Sequence, residues 1–590
     1  MTATARPLGF RRPGAVLLAA LLFAAVASDA RAFASPRVAH PRSASGAAGG
    51  GGTCARPPRG LLASTPLCTN RRGRGGSSEL NMSLRPAMDV TLKVVQSVRG
   101  GSSAGEAAAA SAGVGGALAE LASTPSSLFR AALVSVGVVV AALKFGPLAE
   151  SSSDGATLAD GTKEGQNKKP AAVKSLQMRF LAVFWLLRCA DWLQGPYFYE
   201  VYASKIFNGA PATLAMISRL FLTGFASTAL FGPLVGRMSD QYGRRAGTLA
   251  FSLLYALGAA STKSPLLWVL LAGRMLSGIG TSLLFSAPES WLVGEALKTD
   301  KGGEYLGETF GLAYAGDSIV AILAGQLAMA AAGSRGPTGP FELSVGFLAM
   351  GGLLTSLLWG ENKAELSGDT DSKPTIREAV DVVKSDPKIA LVGAVQSLFE
   401  AAMYIFVLQW PPAISKAIAS AYGESSSTPY GAVFSCFMAC CLLGSTIFGR
   451  LTKSGVSTES STSAMLVSAT LAMGAATFAS TAGFAGAATA SAPLAALVAA
   501  FFAFEACVGM YFPSIGTLRS KYVPDSHRSV IMNLFGVPLN VLVVTVFLSI
   551  KRLGVDGALS VSTGALALAS LSMLKLRSMV SKADTNAAMA

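Results

Sequence analysis

The chain has 590 residues, 51% of them hydrophobic and only 14% charged, with a formal net charge of +15. Together with a mean hydropathy of +0.49, this excludes an ordinary soluble globular protein and points to the membrane. The charge does not argue for a nucleic-acid partner, because residues 1–130 hold fifteen basic and five acidic side chains and leave only +5 for the remainder.

The elements in chain order begin with a leader. Arg11 and Arg12 precede an apolar run at 15–27, and Ala30-Arg31-Ala32 supplies a small-residue cleavage site, so residues 1–32 read as a signal peptide. Residues 33–126 are rich in Ala, Ser, Gly and Arg, poor in acids, and unable to form a core. Such a stretch resembles a plastid transit peptide. The two together resemble the bipartite leaders of algae with complex plastids, which implies a plastid envelope or other organelle membrane. An ordinary secretory signal with an unstructured tail fits the same residues and would imply the plasma membrane. Residues 127–150 hold a further apolar segment, interrupted by Lys144, readable as an extra span or an anchor.

A bilayer core about 30 Å thick takes about 20 apolar helical residues, and twelve stretches meet that need. They are 177–203, 213–236, 247–262, 266–290, 307–332, 340–359, 388–417, 429–450, 462–483, 492–515, 526–550 and 556–577. The fold class expected is therefore an all-α polytopic membrane protein of two six-helix halves, 177–359 and 389–577. A polar central loop at 360–388 joins them, and a tail follows at 578–590. With the 236–245 loop on the inner side, inner loops carry about 23 Lys and Arg against about six outside, which the positive-inside rule reads as both core ends facing the cytosol-like side.

Between the second and third spans the chain reads Gly236-Arg237-Met238-Ser239-Asp240-Gln241-Tyr242-Gly243-Arg244-Arg245. Gly236 and Gly243 would permit tight turns, while Asp240, Arg244 and Arg245 can cap helix ends and form a breakable pair between spans. That loop resembles the gating motif of major facilitator carriers. In such carriers the substrate site lies near the midplane between the halves. The matching position after the eighth span, Gly449-Arg450-Leu451, is a weak echo.

Seven cysteines without metal spacing, two histidines (His40 and His527), and no nucleophile, Walker or dinucleotide motif leave no catalytic residues, metal site or cofactor to propose. The chemistry then falls to ionisable residues within spans, which are costly there and mark function by default. These are Arg188, Asp191, Arg219, Arg274, Glu289, Asp317, Glu400 and Glu505. Arg188 and Asp191, three apart, could simply neutralise each other, and Arg219 and Glu289 could snorkel. Asp191, Glu289, Glu400 and Glu505 are the candidates for proton coupling.

Further strings narrow the family. They include Ala190-Asp191-Trp192-Leu193-Gln194-Gly195-Pro196-Tyr197, Gly273-Arg274 with Gly278, and Glu289-Ser290-Trp291. Phe399-Glu400, Trp410-Pro411, Leu442-Leu443-Gly444-Ser445, Glu505-Ala506-Cys507 and Tyr511-Phe512-Pro513-Ser514 continue the pattern. In order across about 400 residues, these resemble the molybdate-anion transporters of the major facilitator superfamily. The resemblance implies a secondary active carrier of a small anion, molybdate or a similar oxyanion, moved by alternating access, with protons as coupling ion in a symport. A carrier of another solute such as a sugar or organic anion, or a non-transporting membrane sensor, stays open. A tetrahedral dianion needs charge-assisted donors. Arg274 is the candidate, with Gln194, Tyr197, Tyr511 and Asn533 as neutral partners, and a purely structural role for Arg274 fits equally. One departure stands out. Gly536, in Asn533-Leu534-Phe535-Gly536-Val537-Pro538-Leu539, occupies a position where the family pattern has Arg.

Overall fold

The computed structural model describes residues 124–145, 169–363, 376–481, 492–524 and 527–589. The signal peptide, the leader to residue 123, residues 146–168 and residues 364–375 of the central loop lie outside the described residues. Twelve spanning segments follow one another as helices, and one more precedes them. That preceding helix is α1 (Pro125–Phe145). The first span is α2 (Ala171–Gln194), a 3-10 turn at Gly195–Tyr197, and α3 (Phe198–Ala203). Then come α4 (Leu214–Tyr242), α5 (Arg244–Ser261), α6 (Leu267–Leu284), α7 (Ala287–Lys298), α8 (Leu306–Arg335) and α9 (Gly339–Leu358). After the short α10 (Ile376–Ser385), the second half holds α11 (Pro387–Tyr422), α12 (Tyr430–Lys453), α13 (Thr458–Thr481), α14 (Ala492–Tyr522) and α15 (Arg528–Met589).

Ten of the described helical segments are long and apolar enough to cross a membrane. One of the ten, within α15, is two helices meeting at Gly554, where φ is 64°. Helices α2 and α5 fall below that measure, α2 because its charges lower its hydropathy. In hydrocarbon every backbone group must bond internally, which is why apolar segments here are helical throughout. The exception among described residues is a two-residue hairpin after α3, Ile206–Phe207 against Ala210–Pro211. Its turn is Asn208-Gly209 with φ of 51° and 80°, the left-handed pair that a type I′ turn demands.

Three expectations about the elements need correction. The fourth span is not one helix to 290 but α6 and α7, broken at Phe285 and Ser286. Pro288 lacks an N–H, and its ring would meet the carbonyl four residues back. The first span likewise breaks at Gly195-Pro196. The tenth runs to Tyr522 instead of ending near 515, since helical geometry outlasts the apolar run by about two turns. Within the central loop, α10 is helical and amphipathic in sequence.

Helices α2 to α9 pack on one another, as do α11 to α15. The two groups meet chiefly where α8 crosses α12 and where α4 crosses α15. At the α8–α12 crossing a Cβ on Gly431 would collide with the Gly325 carbonyl oxygen, so the backbones touch directly, the small-residue packing of membrane helices. Gln326 Nε2 and the Ile322 carbonyl both bond Ser435 Oγ there, at 2.8 Å each. Rings add Tyr197 on Tyr430 (5.8 Å), Phe221 on Phe547 (5.4 Å) and Phe225 on Tyr404 (4.7 Å). Followed along the alternating helices, these contacts all lie in the half of the bundle away from the 236–245 turn.

Helix α1 packs along α12. The Phe129 carbonyl accepts from Cys436 Sγ at 3.1 Å, and the Leu143 carbonyl accepts from Arg450 Nη2. Both contacts join residues 307 apart, so the two helices run parallel. Phe129 is fully buried by this contact.

Candidate functional site

The charged span residues fall into two networks and two isolated sites. In the first half, α2 carries Arg188 and Asp191 on one face, three residues apart. Arg188 does not merely neutralise Asp191. Its Nε and Nη2 grip both oxygens of Asp317 on α8, at 2.9 and 2.8 Å, and its Nη1 lies 3.4 Å from Asp191. A fork of this kind is the strong form of the arginine–carboxylate bond. Trp192 Nε1 donates to Asp317 at 2.8 Å, and the guanidinium carbon sits 4.8 Å from the Trp192 ring. Asp191 accepts from Tyr255 Oη on α5 at 2.6 Å. One arginine therefore serves two aspartates, and α2, α5 and α8 are tied at one level.

The second-half network joins α11 and α14. Glu400 Oε1 accepts from Tyr511 Oη at 2.9 Å and from Arg519 Nη2 at 3.1 Å, while Arg519 Nε donates to Gln396 at 3.0 Å. Tyr511 stacks on Phe399 at 4.1 Å. Glu505 stands apart from this set. It is buried between α12 and α14, and Cys441 Sγ donates to its Oε2 at 2.9 Å.

Arg274, on α6, is differently placed. It forms no ion pair with a described residue, and its Nε is buried without a hydrogen-bond partner. The guanidinium carbon lies 4.5 Å from the Phe198 ring centroid. Glycine at 224 leaves it room, since a Cβ there would sit 2.8 Å from Arg274 Nη2. Three of its expected neutral partners, Gln194, Tyr197 and Tyr511, are engaged elsewhere. Gln194 donates to Ser344 on α9 at 2.9 Å. Tyr197 packs on Tyr430, Tyr511 belongs to Glu400, and Asn533 is exposed on α15. Glu289, half-buried on α7, accepts from Tyr314 Oη.

The turn between the second and third spans is built around Glu361. Its carboxylate accepts from the backbone N–H groups of Arg245 (2.9 Å) and Ala246 (3.0 Å), capping α5 from the end of the sixth span. Anions are favoured there because the first N–H groups of a helix have no internal partner. Gly243 has φ of 136°, and a Cβ would run into the Glu361 carboxylate. Asp240 pairs with Arg244 across the turn at 3.1 Å, joining the second span to the third. Arg245 Nη2 donates to the Ser356 carbonyl at 2.8 Å. Gly236 makes no turn. It lies inside α4 with open space around it, because the helix continues to Tyr242.

Sequence reasoning missed several members of these networks. Arg519 was counted among inner-loop charges because the tenth span was expected to stop four residues earlier. Tyr255, Gln396 and Glu361 carry no pattern of their own. Tyr202 and Glu200, on α3, were also passed over; Glu200 has a buried oxygen without a hydrogen-bond partner, and the Tyr202 hydroxyl lies beside Arg274.

Comparison with known proteins gives three findings. The family described as sugar transporters with 12 TM matches residues 142–492. A molybdate-anion transporter of Xenopus tropicalis is 30% identical over 378 residues, covering 63% of this chain and 78% of that protein. One of Danio rerio is 31% identical over 395 residues with the same coverage. Among solved structures, a peptide transporter of the POT family in complex with sulfate aligns with a TM-score of 0.53 at 12% identity, covering 71% of this chain and 96% of that one. A mutant of it in complex with alafosfalin gives 0.54 at 14%, with the same coverage. At such identity these two speak to the fold alone.

Proposed function

Because the chain belongs to the molybdate-anion transporter family of the major facilitator superfamily, and is a multi-pass membrane transporter, we propose that it carries molybdate or a similar tetrahedral oxyanion by alternating access, with protons as the coupling ion. The observation that carries this reading is Arg274. A span arginine is costly unless partnered. Arg188 and Arg519 are answered by carboxylates, whereas Arg274 is not, and an oxyanion supplies the acceptors it lacks.

The mechanism follows from charge. Arg188 and Arg274 match Asp191 and Asp317 in number, so these four groups sum to zero before substrate arrives. A dianion would leave two negative charges in a medium of low effective dielectric, which is repulsive by several kcal/mol. One proton on Asp191 halves that excess. Asp191 suits the role better than its rivals. Asp317 is held by a fork, Glu400 by Arg519, and Glu505 faces a thiol between packed helices. Loading the proton would also weaken the Tyr255–Asp191 bond, the tie between α2 and α5.

Contacts between the halves gather away from the 236–245 turn. This arrangement suits a state closed on the far face and accessible from the side of the turn. The Glu361 cap and the Asp240–Arg244 pair would then hold the second, third and sixth spans as one body during rocking. The leader's composition supports a plastid envelope as the destination.

Uptake of radiolabelled molybdate into molybdate-starved cells tests the reading. Arg274→Gln should raise KM by about 10- to 100-fold, the worth of one charge-assisted hydrogen bond. Uptake should fall as external pH rises, and excess sugar should not compete. An unchanged KM in Arg274→Gln would remove the anion site from this position.

A further inference from the structure

The site around Arg274 has a second donor that the reading so far leaves unused. Tyr202 lies on α3, one helical turn after Phe198. Its side chain is among the largest fully buried ones, at 1% exposure, and no group among the described residues accepts its hydroxyl proton. Buried hydroxyls are almost always bonded, and an exception calls for an explanation. The Phe198 ring stands edge-on to Tyr202 at 5.1 Å and lies under the Arg274 guanidinium at 4.5 Å. Arg274 is the charged group beside the Tyr202 hydroxyl, whose oxygen faces it as an acceptor and keeps its own proton free to donate. Opposite Phe198, the bare backbone at Gly224 confines the guanidinium from the α4 side. Two donors, Arg274 Nε–H and Tyr202 O–H, thus sit in one buried corner formed by α3, α4 and α6, and neither has an acceptor.

We infer that Tyr202 is a ligand-binding residue, its hydroxyl donating to one oxygen of a bound oxyanion while the Arg274 guanidinium takes another. The class of ligand this suits is a tetrahedral anion with at least two unprotonated oxygens. An oxyanion offers each donor its own oxygen, and a sugar hydroxyl offers the guanidinium no charge. The corner also explains why the first span is broken. The Gly195–Tyr197 turn re-aims the helix, so that Phe198 and Tyr202 face α4 and α6 instead of continuing the line of α2. The inference rests on the reading that Arg274 binds the anion.

The test uses the full-length protein, assayed for molybdate uptake and, after purification, for the rise in melting temperature on adding molybdate. Tyr202→Phe removes one oxygen and keeps the ring. It should raise KM about tenfold with kcat little changed, as expected for one neutral hydrogen bond. It should shrink the molybdate-induced rise in melting temperature, leave the ligand-free melting temperature unchanged or higher, and reduce the preference for molybdate over chloride as inhibitor. If Tyr202→Phe keeps the parent KM while Arg274→Gln loses affinity, the anion reading stands and Tyr202 has no part in it. If neither variant alters KM, both fall. A ligand-free melting temperature lowered by Tyr202→Phe would mean that the hydroxyl has a structural bond, and would overturn the inference.

Discussion

Breaking the Arg188–Asp317 tie from its two ends should have unequal costs. Both side chains are about nine-tenths buried, at 9% and 11% exposure. Removing one partner of such a pair costs about 3–5 kcal/mol, because a charge is left buried and unanswered. Asp317→Asn keeps the volume and an acceptor oxygen for Trp192 Nε1, and Arg188 still has Asp191 at 3.4 Å. Its cost should lie at the low end, about 3 kcal/mol. Arg188→Met strands two carboxylates at once, Asp317 with only Trp192 and Asp191 with only Tyr255. Its cost should reach or exceed about 5 kcal/mol. Combining Arg188→Met with Asp317→Leu removes the fork entirely and should recover about 2 kcal/mol of that loss, since apolar replacement of a buried pair is often neutral. Thermal unfolding of the purified protein in detergent, followed by tryptophan fluorescence at fixed pH, ranks the three variants. The reasoning fails if Arg188→Met is no worse than Asp317→Asn, or if the double variant is no more stable than Arg188→Met.

Gly243→Ala and Glu361→Ala should each slow transport several-fold with KM little altered, the first by forcing a Cβ into the Glu361 carboxylate at a left-handed φ and the second by uncapping α5; a change confined to KM would contradict a gating role. Asp191→Asn should flatten the pH dependence of uptake, whereas Glu505→Gln should preserve it, because a proton carried at Asp191 binds less often as pH rises; the opposite pattern in pH-jump uptake would move the coupling site to α14. Gly431→Leu should wedge α8 from α12 and expose the far half of the bundle. Labelling of a cysteine placed at position 326 would then increase, and unchanged labelling would show that this crossing does not close that face.

Legibility differed by the kind of interaction involved. The helices were readable because hydrocarbon permits no other backbone solution, and the twelve-span plan followed from run length, with 127–150 left open as a span or an anchor. Helix ends were less readable where polar residues continue a helix, and that is how Arg519 passed for a loop charge. The breaks at Pro288 and at Gly195-Pro196 had local signals in the proline, but proline is tolerated inside α4, α11, α14 and α15, so the residue type alone did not decide. Within the sites, the identity of the charged span residues was plain and their partners were not. Arg188 has Asp191 three positions away, yet its strong bond reaches Asp317, 129 residues on. Pairings of this kind depend on helix rotation and crossing, which no spacing rule encodes. Tyr202 illustrates the limit, since an aromatic at the end of a span reads as an interfacial anchor until its neighbours are known.

The parallel run of α1 beside α12 has a consequence for how the protein is laid out across its membrane. Twelve crossings return a chain to the face it left. A thirteenth, directed like α12, starts from the face where Tyr430 begins that helix. Pro125, at the start of α1, therefore lies on the face of Tyr430, across the bundle from the 236–245 turn. An epitope placed beside Pro125 and one placed in the 236–245 turn would then be reached from opposite faces of the membrane.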